Sequence, residues 1–299
     1  MTLTVAEAAA RIRAGGVVAF PTETVYGLGA NALDAAAVAR IFELKGRPPS
    51  SPLIVHVTSA AMAREIVAEW PALAEELAQR WWPGGLTLVL PKKACVPAIV
   101  TAGLPTVGVR VPSHPVARAL IEAAAVPIAA PSANRFGGLS PTTADHVRQI
   151  FGDSVDVVEG GASQVGIEST VVAVEGDKLT LLRPGMISLG DIEQAAAQAG
   201  AHRSPGMHAR HYSPRTPLLL VADRADLPGR EGAYLWRQSS GITARSLKMP
   251  ADPQAYAARL YSVLHQLDAE AWPWIAVEIP PDGPEWAAIR DRLHRAAQR

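Results

Sequence analysis

From residue 16 to about residue 195, short apolar runs alternate with stretches whose apolar residues recur every three or four positions. The runs Gly16–Phe20, Leu53–Val57, Leu86–Leu90, Val107–Val111, Pro127–Ala130, Val155–Val158, Ser169–Val174 and Leu179–Leu182 predict strands. Asp34–Leu44, Pro71–Arg80, Pro115–Ala124, Thr142–Phe151 and Leu189–Ala199 predict helices, with Asp34 and Thr142 or Thr143 placed to cap two of them. Strands alternating with helices predict an α/β fold. The spacing of Ser169–Val174 and Leu179–Leu182 around "EGDK" predicts a hairpin, so the sheet is expected to be mixed. At the start, "TVAEAAARIRAGG" has an amphipathic period that ends on two glycines and reads as a helix, not a secretory leader.

The texture changes after residue 200. "GAHRSPGMHARHYSPRTP" carries Pro, Gly, His and Arg with no apolar period, as a linker does. Strands Leu218–Val221, Ala233–Trp236 and Trp274–Glu278 and helices Pro253–Leu267 and Trp286–Ala297 follow. The expected organisation is a catalytic domain over 1–200, a linker over 201–217 and a small α/β domain over 218–299.

Composition narrows the function. With 48% apolar residues, the chain can bury a large core. Its 28 basic residues balance 28 acidic ones, and neither half is basic, which argues against a passive grip on nucleic-acid phosphates. The single cysteine, Cys95, excludes an intrachain disulfide, and no window of the chain reads as a membrane span.

"GLGANA" at Gly27–Ala32 fits a dinucleotide fingerprint, but five residues separate it from Pro21, where the preceding strand ends. Those glycines are expected to let the backbone turn and approach a ligand closely. Phosphate-loop and hydrolase-elbow motifs are absent. Polar groups gather instead at strand ends: Thr22, Glu23 and Thr24; Lys45, Arg47 and Ser51; His56; Thr106 and Arg110, which share a strand face; Ser132, Asn134 and Ser140; Glu168, Ser169 and Thr170; and Arg183. Each alone has an ordinary structural explanation. Together, cations and hydroxyls without a thiol or metal cage suit a polyphosphate, hence a nucleotide-using enzyme.

The segments "FPTETVYGLGANA", "KGRPPSSPLIVHV", "WWPGGLTLVL", "TVGVRVPSHP", "AAPSANRFGGLSPTTADHV", "GIESTVV" and "LLRPG" stand in the order found in YrdC-type domains. "SPGMHARHYSPRTPL" resembles the linker of two-domain L-threonylcarbamoyladenylate synthases. The chain departs from the usual pattern at Gly85, where a proline is commoner, and at Ser51, where an asparagine is commoner. The resemblance implies a YrdC-type domain with a twisted mixed sheet flanked by helices, followed by a smaller Rossmann-like domain. It also implies that ATP, L-threonine and bicarbonate or CO2 give L-threonylcarbamoyl-AMP and pyrophosphate, with Mg2+ accompanying ATP. The product would pass to a transferase that modifies adenosine in tRNA, in the cytoplasm, without strong nucleic-acid binding by this chain.

Carried over by motif, Thr24, His56, Arg110, Ala130 and Ser169 would hold threonine. Arg47, Ser51, Thr106, Ser132, Ser140 and Arg183 would contact ATP, Lys45 would add charge near the phosphates, and Tyr212 would reach back from the linker over 201–217, which by the same resemblance would lie as a lid over the active site. Catalysis would be positional and electrostatic. The alternatives are an RNA-binding module, which the charge balance disfavours, and a carbamoyl-transfer domain of hydrogenase-maturation type, whose companion segments are missing here.

Overall fold

A computed structural model describes residues 1–188, 190, 192, 211–238 and 243–298. The first ten strands are β1 (Thr2–Leu3), β2 (Val18–Phe20), β3 (Gly27–Asn31), β4 (Ile54–His56), β5 (Leu86–Pro91), β6 (Thr106–Arg110), β7 (Ile128–Ala129), β8 (Asp156–Val158), β9 (Thr170–Glu175) and β10 (Lys178–Arg183). They form one sheet ordered β1-β8-β2-β3-β7-β4-β6-β5-β9-β10. It is mixed, as expected. β4–β6 and β5–β9 pair parallel, whereas β2–β3, β5–β6 and β9–β10 pair antiparallel, the last as the "EGDK" hairpin.

The sheet is flanked by α1 (Val5–Arg13), α2 (Ala35–Lys45), α3 (Ala60–Ile66), α4 (Ala72–Trp81), α5 (Ala98–Thr101), α6 (Pro115–Ala124) and α7 (Ala144–Phe151). Thr4 and Glu7 form a capping box on α1, and the side chains of Asp34 and Thr143 accept backbone N–H groups at the starts of α2 and α7. Leu28, Ile41, Val55, Leu77 and Leu88 are fully buried in the core between these layers.

Several elements differ from the sequence expectation, β1 and α5 among them. "GLGAN" is the strand β3, not a turn, paired with β2 on one side and β7 on the other. Its glycines serve close packing. A Cβ on Gly29 would lie 2.6 Å from Phe20 Cε1 and 2.7 Å from Ile128 Cγ2. Gly29→Ala is therefore expected to cost about 1–3 kcal/mol through overpacking, read as a lower urea midpoint with unchanged slope. Another is α3, whose 7 residues, about two turns, were too few to show a period.

Strands β11 (Leu218–Val221), β12 (Ala233–Trp236), β13 (Arg245–Lys248) and β14 (Ile275–Glu278) make a second, all-parallel sheet ordered β11-β14-β12-β13. β13, half-exposed "RSLK" on the sheet edge, gave no apolar signal. Helices α8 (Pro253–Ala269) and α9 (Ala287–Ala297) cover this sheet. Its core does not stop at the second sheet. Val25, Leu139 and Ile167, from loops of the first part, pack in one apolar cluster with Tyr212, Leu260, Tyr261 and Ile289. Apart from residues 190 and 192, the expected helix over 189–199 lies outside the described residues, as does the linker up to residue 210, His208 included.

Candidate active site

The ends of β2, β4, β6, β7 and β10 and the start of β9 open on one cleft of about 550 Å³, open solvent at its mouth included. After β2, "TET" folds back on itself. Thr22 Oγ1 lies 2.8 Å from Thr24 Oγ1, accepts the Thr24 and Val25 N–H groups at 3.2 Å, and donates to the Val25 carbonyl at 2.6 Å. This turn presents Thr24 to Arg110, whose Nη1 donates to Thr24 Oγ1 at 2.9 Å. Arg110 Nε donates to the Gly84 carbonyl at 3.0 Å and Nη2 to Glu23 Oε1 at 2.5 Å.

Glu23 also accepts the Ser113 N–H at 3.1 Å. Burial pushes its carboxyl up, but Arg110 and the hydrogen bonds outweigh that and hold it below the ordinary value. The pair is buried on both sides, so it places the guanidinium rather than merely balancing charge. His56 is the register partner of Arg110 across β4–β6. Burial, reinforced by Arg110, drives its pKa down to about 3, and its Nδ1 is buried without a partner. A neutral imbidazole edge thus faces the cleft beside a guanidinium.

Further cations line the cleft. Gly46, left-handed at φ 62°, ends α2 and swings Arg47 back so that its N–H bonds the Phe42 carbonyl at 3.0 Å. Arg47 Nη2 donates to the Pro52 carbonyl at 3.0 Å; burial lowers its pKa to about 10, which leaves it charged. On β10 the register shifts between Leu181 and Arg183, and such an irregularity re-aims a side chain. Arg183 reaches across to Ser169, donating Nε to its carbonyl and Nη2 to its Oγ, both at 3.0 Å. Ser169 Oγ is also 2.8 Å from Thr87 Oγ1.

Of the residues expected at the site, Thr24, His56, Arg110, Ala130, Ser169, Arg47, Ser132, Arg183 and Tyr212 line this cleft. Four stand off its wall. Lys45 is buried and donates to the Ser132 carbonyl at 2.6 Å and to the Asn134 carbonyl, stapling α2 to that loop. Burial first, then Arg47 and Arg135, lowers its pKa well below the usual lysine value. The Ser51 carbonyl accepts Arg47 Nε at 3.4 Å, beneath the guanidinium. Ser140 donates to Glu168 Oε1 at 2.5 Å. Thr106 starts β6 opposite Pro91, at the far end of the strand from Arg110.

Glu168 and His211 line the cleft as well. The sequence showed Glu168 only as one more polar residue at a strand start, and His211 only as an incidental linker histidine. Arg292, which bonds Glu168, carried no signal, because "IRDRLHR" reads as a solvated helix face. Tyr212 sits at φ 62°, a left-handed conformation uncommon for a side-chain-bearing residue, with Arg292 5.1 Å over its ring and His211 edge-on at 4.1 Å. Its buried hydroxyl has no hydrogen-bond partner. The Ser213 N–H bonds the Gly137 carbonyl at 2.9 Å, tying the chain after Tyr212 to the loop that carries Ser132.

Among the described residues, three guanidinium groups against one carboxylate therefore line the cleft, and the imidazoles of His56 and His211 stay neutral. Such a surface binds anions and neutralises charge as it develops.

Comparison with known proteins agrees with this chemistry. The family model described as "Telomere recombination" matches residues 10–185, and the model of the threonylcarbamoyl-AMP synthase C-terminal domain matches residues 178–298. Threonylcarbamoyl-AMP synthase of Bacillus subtilis is 39% identical over 320 aligned positions, covering 98% of this chain and 92% of that one. The enzyme of the same name from Pyrococcus abyssi is 48% identical over 231, covering 73% of this chain and 68% of that one. The crystal structure of P. abyssi Sua5 complexed with L-threonine superposes with a TM-score of 0.90 at 38% identity, covering 98% of this chain and 94% of that one.

Proposed function

The chain belongs to the threonylcarbamoyl-AMP synthase family, and we propose that its cleft joins ATP, L-threonine and bicarbonate or CO2 into L-threonylcarbamoyl-AMP, releasing pyrophosphate. It is an enzyme of nucleotidyltransferase type that makes an AMP adduct. The observation that carries the reading is the division of the cleft. Its lining falls into two sets, a hydroxyl–guanidinium–imidazole set of Thr24, Arg110 and His56 and a cationic set of Arg47 and Arg183 with Ser132.

The first set suits an amino acid. Arg110 keeps N–H donors beyond its three protein bonds, and these would meet the threonine carboxylate. His56 Nδ1 would take a hydrogen bond from the ligand. Ala130 and Ser169 would close the pocket. The second set suits a triphosphate: Arg47, Arg183 and Ser132, with Ser140, Ser51 and Lys45 holding the structure behind them and Thr106 at the outer end of β6. Tyr212 would cover the nucleotide.

In the reaction an oxygen of threonine carbamate attacks the α-phosphorus and the bond to pyrophosphate breaks. Two anions must approach, so the protein's work is alignment and charge neutralisation without a covalent enzyme intermediate. Glu168, the carboxylate on the cleft wall, is engaged by Ser140, Tyr261 and Arg292, and no cluster of three or more metal-binding side chains occurs among the described residues. These residues fit a Mg2+ carried in on the triphosphate, where it would neutralise phosphate charge. The domain division at 1–200, 201–217 and 218–299 belongs to the same reading, as do a cytoplasmic setting, where ATP and threonine are supplied, and hand-over of the labile product to a tRNA threonylcarbamoyl transferase.

The test is pyrophosphate release with Mg2+ and ATP, omitting L-threonine and bicarbonate in turn. Release is expected only when both are present. Release without threonine would assign the cleft another acceptor.

A further inference from the structure

We propose that Arg292, contributed by α9 of the C-terminal part, is a positioning residue for the synthase reaction, holding Glu168, the chain beside Arg183 and the ring of Tyr212 in the geometry that receives the triphosphate. This rests on the synthase reading. Arg292 is fully buried, the largest side chain to be so among the described residues. Its Nε donates to Glu168 Oε2 at 2.7 Å, its Nη2 to the Pro184 carbonyl at 3.0 Å, and its Nη1 to Asp291 Oδ2 at 2.6 Å. The guanidinium carbon stands 5.1 Å over the Tyr212 ring.

Three of those contacts, to Glu168, Pro184 and Tyr212, lie in the cleft lining or next to it. Glu168 lines it and precedes Ser169; Pro184 follows Arg183; Tyr212 covers it. Glu168 is further fixed by Ser140 and by the Tyr261 hydroxyl of α8, at 3.2 Å. Burial would push the Glu168 carboxyl up, but Arg292, Arg183 and Ser140 together keep it ionised. Asp291 accepts both Arg292 Nη1 and Arg295 Nε, so the fork is oriented from behind by its own helix. A buried ion pair that only latched the two parts together would need one cation opposite Glu168. The planar fork does more, reaching a carboxylate and a backbone carbonyl on two different segments while covering an aromatic face, and an ammonium cannot reproduce that. By this account the C-terminal part acts in the reaction from behind the cleft wall.

Arg292→Lys keeps a cation for Glu168 and gives up the fork. Its thermal midpoint is expected within about 5 °C of the parent, since the buried charge stays paired. L-Threonine binding without ATP, measured by calorimetry, is expected to change less than about twofold, while kcat/KM for ATP falls about tenfold or more as the wall shifts. Unchanged kcat/KM for ATP would overturn the proposal. So would parallel losses in threonine affinity, ATP use and thermal midpoint, which would make Arg292 a packing residue. Should Arg292→Lys fail to fold, the double variant Glu168→Gln/Arg292→Met removes both charges and is compared with Glu168→Gln alone. A further drop of about tenfold in kcat/KM for ATP supports positioning by Arg292, and equal values overturn it. If the synthase reading itself were wrong, the parent protein would show no threonine-dependent pyrophosphate release, a result separate from any of these.

Discussion

Arg183→Ala is expected to lower kcat/KM for ATP by about 10²–10³-fold, the loss seen when one preorganised donor to developing charge is removed. Arg183 does two jobs that alanine abandons together. It brings a buried cation to the cleft wall, and it holds Ser169 at both its carbonyl and its hydroxyl. The shift of register on β10 aims it there, so no neighbouring side chain can swing in as a substitute. L-Threonine affinity in the absence of ATP is expected to stay within a few-fold, because Thr24, His56 and Arg110 are fixed independently on β4, β6 and the loop after β2. Arg183→Lys restores the charge without the two-point hold and should recover only part of the loss. Initial rates of pyrophosphate release against ATP concentration decide it: an Arg183→Ala enzyme keeping more than a tenth of the parent kcat/KM would remove this wall from the phosphate site.

Much of this arrangement was legible along the chain because polar residues at strand ends stay at strand ends once the sheet forms. Thr24, His56, Arg110, Ser132 and Arg183 were all marked by sitting just where an apolar run stops, and the sheet brings them to one cleft. Thr106 shows the limit of that logic. Period-two alternation puts it on the face of Arg110 but says nothing about which end of β6 meets the ligand. Gly27–Asn31 was unreadable as a strand because two of its five residues have no side chain to alternate. The network behind the cleft was hidden for a different reason: Arg292 and Tyr261 meet Glu168 across 124 and 93 residues of chain, and locally each looks like part of an ordinary helix. The pairing of roles with substrates came from the family resemblance, not from any residue pattern.

Stability is expected to collapse on mild acidification, and well before the carboxylates titrate. Burial holds His56 and His211 down to about 3 and His265 to about 4, helped by Arg110 beside His56, by Arg47, Lys45 and Arg183 near His211, and by His146 stacked on His265. In the unfolded chain all three protonate near 6.5. Their stabilising contribution is therefore complete above pH 6.5, where neither state binds the proton. It is lost as pH falls toward 3–4, because only the unfolded chain accepts protons in that window. Between pH 7 and pH 5 each buried imidazole costs about 2 kcal/mol, so the three together cost about 6 kcal/mol, a large part of the roughly 5–15 kcal/mol that holds a typical protein folded. Glu23 and Glu168, both held below 4.5 by their arginines, weaken the fold only further down, as pH falls through their depressed values. The unfolding free energy read from urea titrations should thus fall from pH 7.5 to 5, its slope steepening toward three protons or more near pH 5, since His146 is held down by burial as well, and His265→Gln should remove about one of them. A flat profile over that range would mean that these imidazoles take up protons as readily in the folded protein as in the unfolded one, and His56 would then not stay neutral beside threonine below about pH 6.5.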